Sequence, residues 1–171
     1  RVGNKSQIWP RARSLRLFVT SPTKGEVSNV SDVDEIQYTD NFTKETWLVV
    51  GDGDLSYSAL QAPRLKERNI QLIATVLEDQ DRHSIIYHDS KDNSQSIKDH
   101  GQLVHFGIDA TRLQDHFPER SLDRIIFNFP HWPGKANNRY NRELLSNFLQ
   151  SASRVIKRSN DSKDGGEIHV P

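Results

Sequence analysis

Four short apolar runs, set apart by stretches of helical length, constrain this chain more than any single residue does. They are "WLVV" (47–50), "IQLIATV" (70–76), "QLVHFGID" (102–109) and "LDRIIFNF" (122–129). Each is preceded by a polar or glycine residue and is short for a buried helix, so each predicts a strand. Continuous apolar character, with little alternation, marks strands covered on both faces, as in a parallel sheet. Residues 55–66 follow the first run with a helical pattern, and Pro63 is expected to bend or split it. A polar, helix-compatible span runs from 81 to 100, with Gly101 placed to stop it. Later, Leu144, Leu145, Phe148, Leu149, Ala152, Val155 and Ile156 recur at helical spacing, and "GGEIHV" opens a fifth strand. This alternation predicts an α/β domain over 46–171 with a doubly wound, mainly parallel sheet and right-handed crossovers.

Ahead of it, residues 1–45 are polar, with one candidate strand at 15–20 ("LRLFVT"). The first 25 residues carry six Lys or Arg and no acid. Three readings fit: a basic arm on RNA phosphates, the remnant of a transit peptide, or a solvated lead-in. Position 1 is not methionine, so the chain reads as an excised domain or a processed product. With no cysteine among 171 residues, disulfides, thiolate nucleophiles and cysteine-held zinc are excluded. His83, His88, His100, His105 and His116 show no metal-ligand spacing and read as surface or hydrogen-bonded residues, and no metal is expected. No run approaches the roughly 18 apolar residues of a membrane span.

In open parallel sheets, ligands bind beyond the carboxyl ends of the strands. Four unusual segments fall at predicted strand ends: "GDGD", "TVLED", "GIDAT" and "NFPHW". In the first, Gly51 and Gly53 let the backbone approach a ligand, with free helix N–H groups just beyond. Ser56 stands where a dinucleotide fingerprint has its third glycine, which disfavours a nicotinamide cofactor. A smaller nucleoside with an amino-acid tail, S-adenosylmethionine, needs only the two-glycine turn; the alternative is a plain turn with helix-capping acids. Glu78 is placed to accept ribose hydroxyls, with Asp79 and Asp81 as competitors. Asp109 fits the adenine amino group, with Ala110 leaving room for the ring, or else caps a short helix at Thr111. In "NFPH", Asn128 can accept a hydrogen from a target nitrogen and Phe129 can stack on a flipped base. Pro130 stiffens the turn and His131 can move a proton near neutral pH. Against this stands a structural reading, with Phe129 and Trp132 as core lids, Asn128 as a cap and His131 on the surface.

The segments "GDGDLSYS", "ATVLED", "GIDAT", "RIIFNFPH", "NRELLSNFL" and "GEIHV", in this order, resemble the family of the yeast 25S rRNA (uridine-N3)-methyltransferase. The likeness covers about 47–170. It implies a class I methyltransferase sheet, here truncated after strand five, and methyl transfer from S-adenosylmethionine to N3 of a uridine in large-subunit rRNA. A nucleolar setting and an RNA partner follow from it as expectations; the oligomeric state is left open, with a monomer favoured. The implied cofactor contacts are Gly51, Asp52, Gly53, Asp54, Leu55, Ser56, Thr75, Glu78, Asp109 and Ala110; the implied catalytic residues are Asn128, Phe129, Pro130 and His131. Trp132, Arg139 and Arg142 are the implied RNA contacts. A non-catalytic RNA- or partner-binding module that keeps the fold is the competing reading.

Overall fold

The computed structural model describes residues 44–132, 137–159 and 165–171. The candidate strand at 15–20 and the rest of the basic lead-in lie outside them. Five strands form one parallel sheet: β1 (Thr46–Val50), β2 (Gln71–Thr75), β3 (Leu103–His105), β4 (Arg124–Phe127) and β5 (Glu167–His169). Their order is β3-β2-β1-β4-β5, so the winding reverses between β1 and β4. Val50 pairs with Thr75 on one side and Phe127 on the other, which levels three carboxyl ends at the reversal point.

Side chains alternate across β1, and each set has its own cover. Leu48 and Val50, with Ile125 and Phe127 of β4, pack against Phe148, Ala152 and Val155 of α4 (Asn138–Val155). Leu113, in the 3₁₀ helix Ala110–Asp115, joins this side. Trp47 and Val49, with Leu72 and Ala74, pack against Ala62 and Leu65 of α1 (Ser56–Glu67) and Ile97 of α3 (Ser90–Asp99). Both faces of the sheet are thus buried, the condition under which continuous apolar strands are stable.

Two expectations are corrected. Pro63 does not split α1, which runs as one helix through it. Proline withholds one backbone donor, but Ala62 and Leu65 on either side of it are buried in the core and hold the turn in place. The polar span is two helices, α2 (Gln80–Ile86) and α3, separated by an extended Tyr87. Gly101 does end this span, with φ +72° and its N–H donated to the Lys98 carbonyl at 2.8 Å.

Candidate active site

The level carboxyl ends border a cleft of about 780 Å³. The glycine turn forms one side. Gly51 and Gly53 sit in the left-handed region at φ +62° and +51°. A Cβ on Gly51 would stand 2.9 Å from Phe127 Cε2, whereas one on Gly53 would meet nothing within 4 Å. Leu55 also adopts the left-handed region, at φ +69°, without being glycine. Its side chain is fully buried and its N–H donates to the Asp52 carbonyl at 2.7 Å, so packing and a short bond hold a backbone state that ordinary residues avoid.

Asp52 lines the cleft and also serves the helix. Its Oδ2 accepts the Ser58 N–H at 2.9 Å, capping the first turn of α1. Burial pushes its carboxyl up to about 6, against the opposing pull of the Ser58 hydrogen bonds. The folded state therefore holds this proton more tightly than the unfolded chain, so stability falls as pH rises through about 6. Asp52→Asn keeps an oxygen for Ser58 and removes the buried charge. It should raise stability at pH 7.5 by on the order of 2 kcal/mol and flatten the pH dependence between about 4 and 6. Urea titrations of both proteins at pH 4.5 and 7.5 check this; a parent-like slope in the variant would assign the effect to another group.

The acids after β2 and β3 separate clearly. Glu78 lines the cleft, Asp79 caps α2 by accepting the Arg82 N–H at 2.9 Å, and Asp81 is exposed. Asp109 accepts from the N–H and the hydroxyl of Thr111, both at 2.8 Å, so it caps the 3₁₀ helix; it and Ala110 still face the cleft.

The opposite wall is Asn128, Phe129 and His131. Among the described residues no hydrogen bond engages the Asn128 side chain. Phe129 is 77% exposed and held at φ +49°, a strained backbone state carrying an uncovered ring. A core lid would be buried, so the structural reading fails for Phe129. His131 is exposed, and its Nδ1 lies 3.2 Å from the Phe129 carbonyl. A carbonyl only accepts, so Nδ1 carries the hydrogen of this contact, and in the neutral ring Nε2 has the lone pair.

Outside the cleft, Trp132 is 43% exposed, and its ring lies 5.2 Å from that of Tyr140. The Trp132 backbone N–H donates to Asn141 Oδ1 at 2.8 Å, which ties this segment to α4. Arg139 and Arg142 are exposed on the first turns of α4 and form no ion pair among the described residues. Several expected contacts do not reach the cleft. Thr75 is fully buried and donates its hydroxyl to the Val49 carbonyl at 2.9 Å; Leu55 is core. Asp54 accepts the Ser56 N–H at 3.0 Å, Ser56 is exposed, and neither lines the cleft, nor does Pro130. Tyr57, Tyr87 and Leu144 do line it, although nothing at those positions marked them beforehand.

A reversal-point cleft, a left-handed glycine turn and acids beyond β2 and β3 define a Rossmann-like domain. The chain belongs to the family described as rRNA (uridine-N3-)-methyltransferase BTM5-like, which matches residues 48–171. Over 127 residues, 72% of the chain, it is 38% identical to the Homo sapiens ferredoxin-fold anticodon-binding domain-containing protein 1, covering 19% of that protein. Its Mus musculus homolog is 34% identical over the same share. Heavy metal-associated isoprenylated plant protein 41 of Arabidopsis thaliana is 32% identical over 85% of the chain and 28% of its own length. The chain thus spans between 19% and 28% of the length of these curated relatives. No helix among the described residues is long and apolar enough to cross a membrane.

Proposed function

We propose that this domain methylates N3 of a uridine in large-subunit rRNA with S-adenosylmethionine, in a nucleolar setting. The observation that carries this reading is the meeting, in one cleft, of the glycine turn, Glu78 and the Asn128, Phe129 and His131 wall. A cleft of about 780 Å³ suits a nucleoside-sized ligand. Val76, Ile108 and Ala110 offer an apolar slot for adenine, Glu78 would accept the ribose hydroxyls, and Asp52 would face the ammonium of the tail.

When bound, the cofactor supplies a methyl group already made electrophilic by its sulfonium. The protein's task is then alignment, exclusion of water and removal of one proton. His131 Nε2 would take the imide proton of uridine N3, leaving there the electron pair that bonds the methyl group as its bond to sulfur breaks and the neutral thioether departs. Asn128, with no competing partner among the described residues, orients the pyrimidine edge, and the exposed Phe129 ring stacks on the base. Arg139 and Arg142 meet phosphates, and the Trp132–Tyr140 pair offers a further stacking face.

The cofactor half is tested by melting with S-adenosylhomocysteine and with NAD. At about 100 times its dissociation constant the thioether should add roughly 2.7 kcal/mol, and NAD should add nothing. A shift with NAD alone would overturn the assignment.

A further inference from the structure

The β2–β3 crossover is polar over most of its length, and only Val76, Glu78 and Tyr87 have so far been given a place in the cleft. It nevertheless reaches the glycine turn twice. His83 on α2 is 1% exposed, and its Nε2 lies 2.6 Å from the Gly53 carbonyl oxygen. The carbonyl only accepts, so Nε2 donates. From α3, Asn93 donates its Nδ2 hydrogen to the next carbonyl, that of Asp54, at 3.0 Å. Two successive carbonyls of the turn are therefore tied to two different helices. The His83 ring is itself fixed, edge-on to Phe106 at 5.4 Å and tilted against Tyr87 at 4.9 Å. Tyr87 in turn walls the cleft beside Glu78.

We propose that His83 is a positioning residue which, with Asn93, locks the turn at Gly53 and Asp54 in its ligand-ready conformation. The crossover then acts as a clamp on the cofactor side of the cleft; this rests on the reading of that cleft as an S-adenosylmethionine site. The physical need is plain. Glycine populates both signs of φ about equally, so an untied Gly53 would leave its φ of +51° for much of the time. A ligand that requires one conformation binds more weakly in proportion to the time spent in the others. Two hydrogen bonds made before the ligand arrives remove that loss.

His83→Gln, His83→Asn, His83→Leu and Asn93→Leu test the lock. Glutamine can carry an N–H to the place of His83 Nε2, and asparagine is too short. Two quantities are measured: amide hydrogen exchange at residues 53–56 in the ligand-free protein, and S-adenosylhomocysteine affinity by calorimetry. His83→Leu and Asn93→Leu should speed exchange in the turn and weaken affinity, each about tenfold. His83→Gln should restore most of both, and His83→Asn should not. A purely structural role would leave the two amides alike. Asn93 is half-exposed, so its variant keeps the test intact should His83→Leu fail to fold. Parent-like exchange in Asn93→Leu and in His83→Gln and His83→Asn alike would overturn the lock. If exchange responds as expected and the parent does not bind the thioether, the lock stands and the ligand assignment fails.

Discussion

Asn128→Ala and His131→Ala are each expected to slow methyl transfer to rRNA by about 10²–10⁴-fold while leaving the melting temperature nearly unchanged. The Asn128 amide supports no hydrogen bond among the described residues, and His131 is exposed with one 3.2 Å contact to a carbonyl. Asn128 is half-buried and His131 exposed, so neither truncation opens the core. Affinity for S-adenosylhomocysteine should also hold, because the glycine turn, Glu78 and the apolar slot remain. Phe129→Ala joins this series as a clean probe: its ring is 77% exposed, so truncation removes base stacking without opening the core. Tritium transfer, melting and calorimetry on the same preparations separate these effects. Variants that transfer as fast as the parent would make the cluster a structural feature.

Gly51→Ala should be far more damaging than its size implies. At φ +62° a Cβ costs about 1–2 kcal/mol. The same atom would come within 2.9 Å of Phe127 Cε2, and overpacking of a filled site costs about 1–3 kcal/mol. Phe127 cannot retreat freely, because its ring packs edge-on against the fully buried Phe148 at 4.9 Å. The ring is also a wall of the cleft, so any shift that relieves the clash deforms the ligand site. We expect a marked fall in melting temperature and loss of thioether binding. Gly53→Ala, with open space at its Cβ, should show the backbone cost alone. Equal melting and equal binding in Gly51→Ala and the parent would mean that the turn's geometry does not matter to the site.

Much of this domain could be read from its residues. The apolar runs became strands because both faces of the sheet are covered, and the period of Leu145, Phe148, Ala152 and Val155 revealed the buried side of α4. Glu78, Asn128, Phe129 and His131 were legible for a related reason: chemically unusual residues at strand ends converge once the strands are level. What escaped the reading depends on contacts distant in sequence. Pro63 sits inside a helix because Ala62 and Leu65 are buried by another layer. Leu55 and Phe129 take left-handed backbone states that no glycine announces. His83 lies in a polar stretch that looks solvated, and it is buried because Phe106 and the glycine turn close over it. The break at Tyr87 carries neither glycine nor proline, so the cleft wall it supplies had no local signal. Thr75 misled for the opposite reason: it stands at the right strand end but turns its hydroxyl inward to Val49.

The central claim is that this cleft joins a cofactor site to a uridine-handling wall, and one measurement addresses both halves. The protein is incubated with tritiated S-adenosylmethionine and unmodified large-subunit rRNA, the RNA is digested to nucleosides, and the label is located by chromatography against standards. The expected result is label in N3-methyluridine, lost in His131→Ala and Asn128→Ala. Label in another nucleoside, or no transfer from a protein that binds the thioether tightly and is given this RNA, would contradict it.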